Sequence, residues 1–289
     1  MSLGLRRLIS GGGYLLFSVL MLLTLLILRF PAQKLRLLLE ARLSPATPAL
    51  VCTIGPAQLN RRGLLLDWIA WSRPGETPPL LRIEHLQITP QLHGWSGPRP
   101  VLADWHGTVY GGTLQGKLAR TPQRHLIELT ARIEGLRLEQ ATALQQVLGR
   151  TAAGRLGMTL QLTADRRRSR PEVLTLELEL AEALVSLRRP LLGRTEMALD
   201  RLTSRWRLHE GHWQLEECAF RSSLGAGECR GTILPLPPPA WGLLELHGQL
   251  RPEVGALPPL PPDLTGPARN TAWPFTLAGT LELPSWRWN

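Results

Sequence analysis

Alternation with a period of two dominates the chain after Pro48. Ile127, Leu129, Ala131 and Ile133 fall on one side of an extended backbone, with Glu128, Thr130 and Arg132 between them. The cleanest stretch is Leu174, Leu176, Leu178 and Leu180, separated by Thr175, Glu177 and Glu179. Successive side chains of a strand point to opposite faces, so each segment predicts a strand with one apolar face. Rougher alternation predicts strands around residues 64–71, 80–89, 101–110, 156–164, 199–208, 243–250 and 275–283. Turn signals separate them at Arg73-Pro74-Gly75, residues 94–100, residues 165–171, Glu210-Gly211 and Gly225-Ala226-Gly227. One short helix, residues 138–148 closed by Gly149, interrupts the series. Many one-faced strands at regular spacing predict an antiparallel sheet with one apolar face.

The first thirty residues break that texture. Tyr14, Leu15, Leu16, Phe17, Leu20, Leu22, Leu23, Leu25, Leu26, Ile27 and Leu28 belong to a run that carries no charge from Leu8 onward. At 1.5 Å per residue such a run crosses a hydrocarbon core of about 30 Å as one transmembrane helix. Arg6 and Arg7 precede it and place the N-terminus in the cytoplasm, although Arg29, Lys34 and Arg36 follow. A cleaved signal peptide is the competing reading. It is disfavoured by the length of the run and by Arg29-Phe30-Pro31 standing where a small-x-small cleavage site belongs. Pro31 suits the first turn of a new helix, and Leu35, Leu38, Leu39 and Leu43 then give one apolar stripe ending near Ser44-Pro45. Two placements are open for this helix: in the membrane interface, with Lys34, Arg36 and Arg42 toward headgroups, or packed on the domain that follows. No second apolar run of this length occurs, so residues 31–289 are expected on one side of the membrane.

Composition sharpens the picture without adding chemistry. Gly (27) and Pro (25) are abundant in 289 residues, which favours short elements and turns over a helical bundle. Pro235-Leu236-Pro237-Pro238-Pro239 reads as a rigid connection or an edge, and residues 255–270 read as a Pro-rich linker before a final strand. The net charge of +10 is almost all arginine, because Lys34 and Lys117 are the sole lysines. Its densest cluster, Arg166-Arg167-Arg168-Ser169-Arg170, lies between two strands; it is read as a solvated loop, or as a contact for acidic headgroups or an acidic partner. Nucleic acid is not expected behind a membrane anchor.

The histidines form no metal-binding spacing, and His209 and His212 flank a turn. No phosphate loop, no Gly-x-Ser-x-Gly and no Cys-x-x-Cys is present. Neither an enzyme nor a cofactor or metal protein is expected. Ten tryptophans, Trp68, Trp71, Trp95, Trp105, Trp206, Trp213 and Trp241 among them, fall mostly in or beside the expected strands. They are read as core filling or as the lining of an amphiphile- or partner-binding surface.

The order of anchor, Phe30-Pro31, amphipathic helix and Gly-punctuated strands resembles the type II secretion system protein N family. Gly63-Leu64-Leu65-Leu66 is similar to that family's first long strand, and Val109-Tyr110-Gly111-Gly112-Thr113-Leu114-Gln115-Gly116 to its Gly-Gly-x-Leu-x-Gly step. Gly211-His212-Trp213-Gln214-Leu215 with Gly231-Thr232-Ile233 resembles a later hairpin. Trp273-Pro274-Phe275-Thr276-Leu277-Ala278-Gly279-Thr280-Leu281-Glu282-Leu283-Pro284 resembles the closing strand. The resemblance implies a single-pass inner-membrane protein with a periplasmic β domain. Its role would be non-catalytic scaffolding within the type II secretion machinery, with other secretion subunits as partners. A more distant similarity, to AsmA- and TAM-type periplasmic proteins, implies the alternative of a lipid-binding or lipid-transfer protein with phospholipid as partner. Gly111, Gly112, Gly116, Gly231 and Gly279 permit bulges and coiling of a long sheet, although Gly111-Gly112 reads equally well as a turn.

The expected fold is therefore mostly β. A cytoplasmic stub and transmembrane helix (1–30) and an amphipathic helix (31–47) precede a curved antiparallel periplasmic domain (48–254). The Pro-rich linker (255–270) then leads to a closing strand and tail (271–289). A disulfide between Cys218 and Cys229 is expected in an oxidising periplasm. A hairpin centred on Ser223-Leu224 sets the two opposite each other, provided a bulge near Glu216-Glu217 corrects the parity of Trp213 and Leu215. A centre shifted toward Gly225 would leave both thiols free.

Overall fold

In a computed structural model of the chain, strands follow one another from Val51 to Trp288 within a single antiparallel sheet. The structure describes residues 17, 18, 21, 32–43, 50–60, 62–75, 79–91, 101–120, 126–142, 145, 151–165, 171–191, 194–235, 242–253, 272–280 and 283–288. Helix α1 (Ala32–Leu43) precedes β1 (Val51–Ile54), β2 (Ala57–Asn60), β3 (Gly63–Ser72), β4 (Leu81–Pro90), β5 (Val101–Val109) and β6 (Gly112–Arg120). Then come β7 (Leu126–Arg137), β8 (Ala152–Asp165), β9 (Pro171–Leu191), β10 (Arg194–His209), β11 (His212–Ser222), β12 (Gly225–Leu234), β13 (Leu243–Pro252), β14 (Trp273–Thr280) and β15 (Pro284–Trp288). From β3 onward each strand pairs with its sequence neighbours, while β1 and β2 both pair with β3. The sheet is curved and does not close.

Every long alternating stretch lies in a strand, and the alternation assigns its faces. The bends come from irregularities that alternation does not show. Register slips at Glu84/Gln87, Ile133/Leu136, Ala153/Arg155, Arg205/Trp206 and Leu215/Ala219 each leave an extra residue on one strand. Such bulges raise the local twist and coil a sheet. Three of them hold residues at positive φ: His85 (52°), Gly135 (67°) and Glu182 (50°), the last within β9 opposite the Ala153/Arg155 slip.

Helix α1 packs at the β1–β2 end. Leu39 packs against the core there, and the Glu40 carboxylate accepts hydrogen bonds from the Ile54 amide and Arg36 Nε, both at 2.9 Å. Burial alone would raise this carboxyl, but the two donors outweigh it and hold Glu40 below the usual carboxylate range. Leu37 and Leu38 stay exposed. The helix thus packs on the domain while leaving apolar side chains outside.

Several expectations need correction. Gly225-Ala226-Gly227 is not a turn: the reversal falls at Ser223-Leu224, and those glycines open β12. The strand expected around 174–180 is 21 residues long, because the chain continues past the Glu182 irregularity instead of turning. Two short strands, β1 and β2, precede the expected first strand. The single closing strand is a hairpin: β14 stops at Thr280 and Pro284 begins the edge strand β15. This end belongs to the same sheet as β1–β13. The expected helix 138–148 begins as a 3-10 turn, Leu138–Gln140, with Thr142 and Gln145 helical.

The expected membrane span lies outside the described residues except for Phe17, Ser18 and Met21, which are helical and exposed. Among the described residues no helix is long and apolar enough to cross a membrane. Phe30, Pro31, the arginine cluster 166–170, the Pro-rich residues 236–239 and 255–270, Trp95, Trp241 and Leu281 also lie outside the described residues.

Candidate functional site: an apolar sheet face

Residues paired across antiparallel strands share a face, so the register traces what each face presents. One transverse row reads Leu118, Leu129, Leu162, Leu174, Leu208, Trp213, Ile233 and Leu244. The next reads Trp105, Gly116, Ala131, Leu160, Leu176, Trp206, Leu215, Gly231, Leu246, Leu277 and Trp286. A third runs Leu114, Ile133, Met158, Leu178 and Ser204 to the cysteine pair, then Gly248, Phe275 and Trp288. A fourth holds Leu136, Leu156, Leu180, Leu202, Phe220, Gly227, Leu250 and Trp273. No charged side chain stands in any of these rows.

The other face is polar and carries the charges among threonines and glutamines. Arg205 bonds Glu177 at 3.0 Å, Arg207 lies 3.1 Å from Glu216, Arg201 pairs with Glu179, and Arg132 pairs with Glu134. These pairs are exposed and individually contribute little stability. Their alternation of sign keeps this face in water, and so decides which way the leucines turn.

Burial along the apolar face is uneven. At one end Ile54, Leu66 and Val109 are fully buried, in a cluster that takes in Leu39, Leu138 and Ala141. At the other, Leu215, Leu246, Leu250 and Phe275 are buried under an aromatic group. Phe275 stacks on Trp286 with ring centroids 4.2 Å apart, and Trp288 meets both edge-on. Between the clusters, Leu160, Leu162, Leu174, Leu176 and Leu178 are all half-exposed. Among the described residues no second layer covers them. The polar break in this stretch is satisfied internally, Trp206 Nε1 donating to Ser204 Oγ at 3.0 Å.

A hollow of about 1130 Å3 crosses the strands from β7 to β14; most of its lining comes from the polar face, Arg132, Glu134, Glu177, Glu179, Arg205 and Arg230 included, with residues of the row from Ile133 to Phe275 between them. Both Cys218 and Cys229 line it. The hairpin register is Ala219↔Glu228 and Phe220↔Gly227, with the expected bulge between Leu215 and Ala219. The two cysteines are thiols in this structure, in hydrogen-bonding contact with each other. The Cys229 thiol and backbone amide both donate toward Cys218 and, against its burial, pull the Cys218 thiol below its ordinary value. Cys229, the donor, is pushed up by that bond, by burial and by the adjacent sulfur's charge.

The other singled-out residues are dispersed. Gly111, at φ 74°, is the turn between β5 and β6 together with Tyr110 at 46°, while Gly112 opens β6. Gly116 lies under the Trp105 ring, Gly231 sits opposite Leu215, and Gly279, at φ 113°, pairs with Pro284 at the β14–β15 reversal. Pro274 faces the polar side, next to Phe275 on the apolar one. His209 and His212 flank the Glu210-Gly211 turn, their rings 6.5 Å apart. Among the described residues no group of side chains has a metal-binding arrangement. Sequence reasoning missed Trp286 and Trp288; the alternation of Trp286, Arg287 and Trp288 was the available signal. Compared with known proteins, the chain matches no family model, no curated protein and no solved structure. The type II secretion resemblance therefore rests on the order of its motifs.

Proposed function

We propose that this chain is a membrane-anchored, non-catalytic protein whose sheet shelters the acyl chains of phospholipid, with its domain on the periplasmic side of the inner membrane. The observation that carries this reading is the apolar span at β8–β10, half-exposed and uncovered among the described residues, continuous with buried apolar surface on both sides. Four rows two residues apart make a strip about 20 Å wide. That exceeds the depth of one bilayer leaflet, about 15 Å if the hydrocarbon core is 30 Å. Strands 4.7–4.9 Å apart carry the longest row, Trp105 to Trp286, about 48 Å across the sheet. Each methylene moved from water onto such a surface contributes about 0.8 kcal/mol, and no directional group is needed to hold it.

Scaffolding within a type II secretion apparatus is the second reading. What favours it is the open end of the sheet at β15, whose outer backbone pairs with no strand among the described residues and whose Trp288 is exposed. Such an edge accepts a strand from another subunit. Photo-crosslinking of the full chain in cells separates the two. With a benzophenone residue at position 176, on the apolar face, crosslinks to phospholipid are expected; at position 177, on the charged face, none are. Crosslinks from 176 to protein alone would transfer the proposal to the scaffold reading. Absence of any crosslink from 176 would reject both occupants of the face.

A further inference from the structure

Within the β11–β12 hairpin, Cys218 and Cys229 stand one residue beyond the Ala219↔Glu228 pair, at the edge of the bulge, with their thiols in hydrogen-bonding contact. Both side chains project onto the apolar face, in line with Ser204 on β10 and Gly248 on β13. The Phe275 ring lies over Gly248, which pairs with Cys229 on its β13 side. Neighbouring antiparallel Cα atoms lie about 4.5–5.5 Å apart, inside the range a disulfide spans. Cys229 is buried, whereas Cys218 is partly exposed.

We infer that Cys218 and Cys229 form an intramolecular disulfide by exchange with a disulfide oxidant, with Cys218 as the attacking thiol. The Cys218 thiolate attacks one sulfur of the oxidant, forming a mixed disulfide and releasing one thiolate. Cys229 then loses its proton and attacks the Cys218 sulfur, closing the bridge and expelling the second thiolate. The two released thiolates take up the two protons, so two protein thiols are oxidised and one oxidant disulfide is reduced. The exposure of Cys218 and its lowered thiol favour this order, because the thiolate is the nucleophile. The bridge sits beside the Leu215/Ala219 irregularity and pins that bulge, holding the bend of the apolar face at its aromatic end. This inference stands apart from the lipid reading, since a bridge forms whatever occupies the face.

The test uses the purified full chain in detergent, incubated with oxidised glutathione and mapped by mass spectrometry without reduction. A Cys218–Cys229 linked peptide with Cys52 alkylated is expected; separate alkylation of Cys218 and Cys229 overturns the bridge. The order of attack is read from single variants, each checked for an unchanged β-sheet circular dichroism spectrum. In Cys229→Ser the glutathione adduct at Cys218 should form at least ten-fold faster than the adduct at Cys229 in Cys218→Ser. Equal or reversed rates overturn the assignment of Cys218 as the attacking thiol. The linked peptide in the unsubstituted chain needs neither variant to fold.

Discussion

Gly231 shows how one residue sets local shape. It lies at φ 153°, opposite Leu215 and next to the β11 bulge, where a Cβ would collide with the Glu245 carbonyl oxygen. The neighbouring strand's backbone cannot withdraw without breaking its ladder. Gly231→Ala should therefore destabilise the domain by about 1–3 kcal/mol in a denaturant titration, the scale of one strained backbone position. An unchanged midpoint would show that the close approach relaxes freely. The sequence marks this glycine as one a bulge needs, but Gly112 and Gly116 carry the same mark. Which of them meets backbone and which lies under a tryptophan depends on the partner strand.

Helix α1 is joined to the sheet by few contacts, and Glu40 is the most specific. Its folded carboxyl sits below the ordinary value because the Ile54 amide and Arg36 favour the charged form against burial. The unfolded carboxyl titrates near about 4.3. A depressed folded value means that the attachment is at full strength above that pH and is lost as pH falls through the folded value. Protection of the Ile54 amide and of residues 32–43 against hydrogen exchange, taken relative to the intrinsic rate at each pH, should therefore fall as acid protonates Glu40. Glu40→Gln should show that lower protection at pH 7 and respond less to acid. Slow exchange in the variant at pH 7 would mean that Leu39 packing alone holds the helix. Of the apolar stripe expected from the sequence, Leu39 packs on the sheet while Leu38 is exposed. The part played by Glu40 was not legible there, because its partner is a backbone group fourteen residues away.

Across the described residues, the apolar face has buried ends and a middle that no other layer covers, and substitutions should report that difference. Phe275 is buried among Phe220, Trp286 and Trp288, so Phe275→Ala should cost about 3–5 kcal/mol. Leu178 lies in the uncovered stretch, and Leu178→Arg should cost no more than about 1 kcal/mol, as at a surface position. The same Leu178→Arg change should reduce co-purifying phospholipid several-fold in native mass spectrometry, because an arginine on a methylene-binding strip repels acyl chains. A large loss of stability in Leu178→Arg would show that another part of the chain covers the middle of the face. The apolar side of β9 was legible in the alternation of Leu174, Leu176, Leu178 and Leu180, whereas its alignment with the apolar sides of its neighbours, uncovered among the described residues, comes from the assembled sheet.

Period-two patterning is local, and the sequence by itself determined what local chemistry controls: strands and their apolar and polar sides, while the hairpin centre at Ser223-Leu224, rather than nearer Gly225, was decided by the structure. Side-chain direction in a strand follows from parity, and a hairpin's register follows from its turn. Only the tertiary structure decided the rest. Bulges at Glu84/Gln87 and Ile133/Leu136, the continuation of β9 through Glu182 and the return of the chain as β15 all depend on which backbone groups a distant partner presents. The open sheet and its uncovered middle depend on them in turn, because curvature is the sum of many such irregularities and no single segment encodes it.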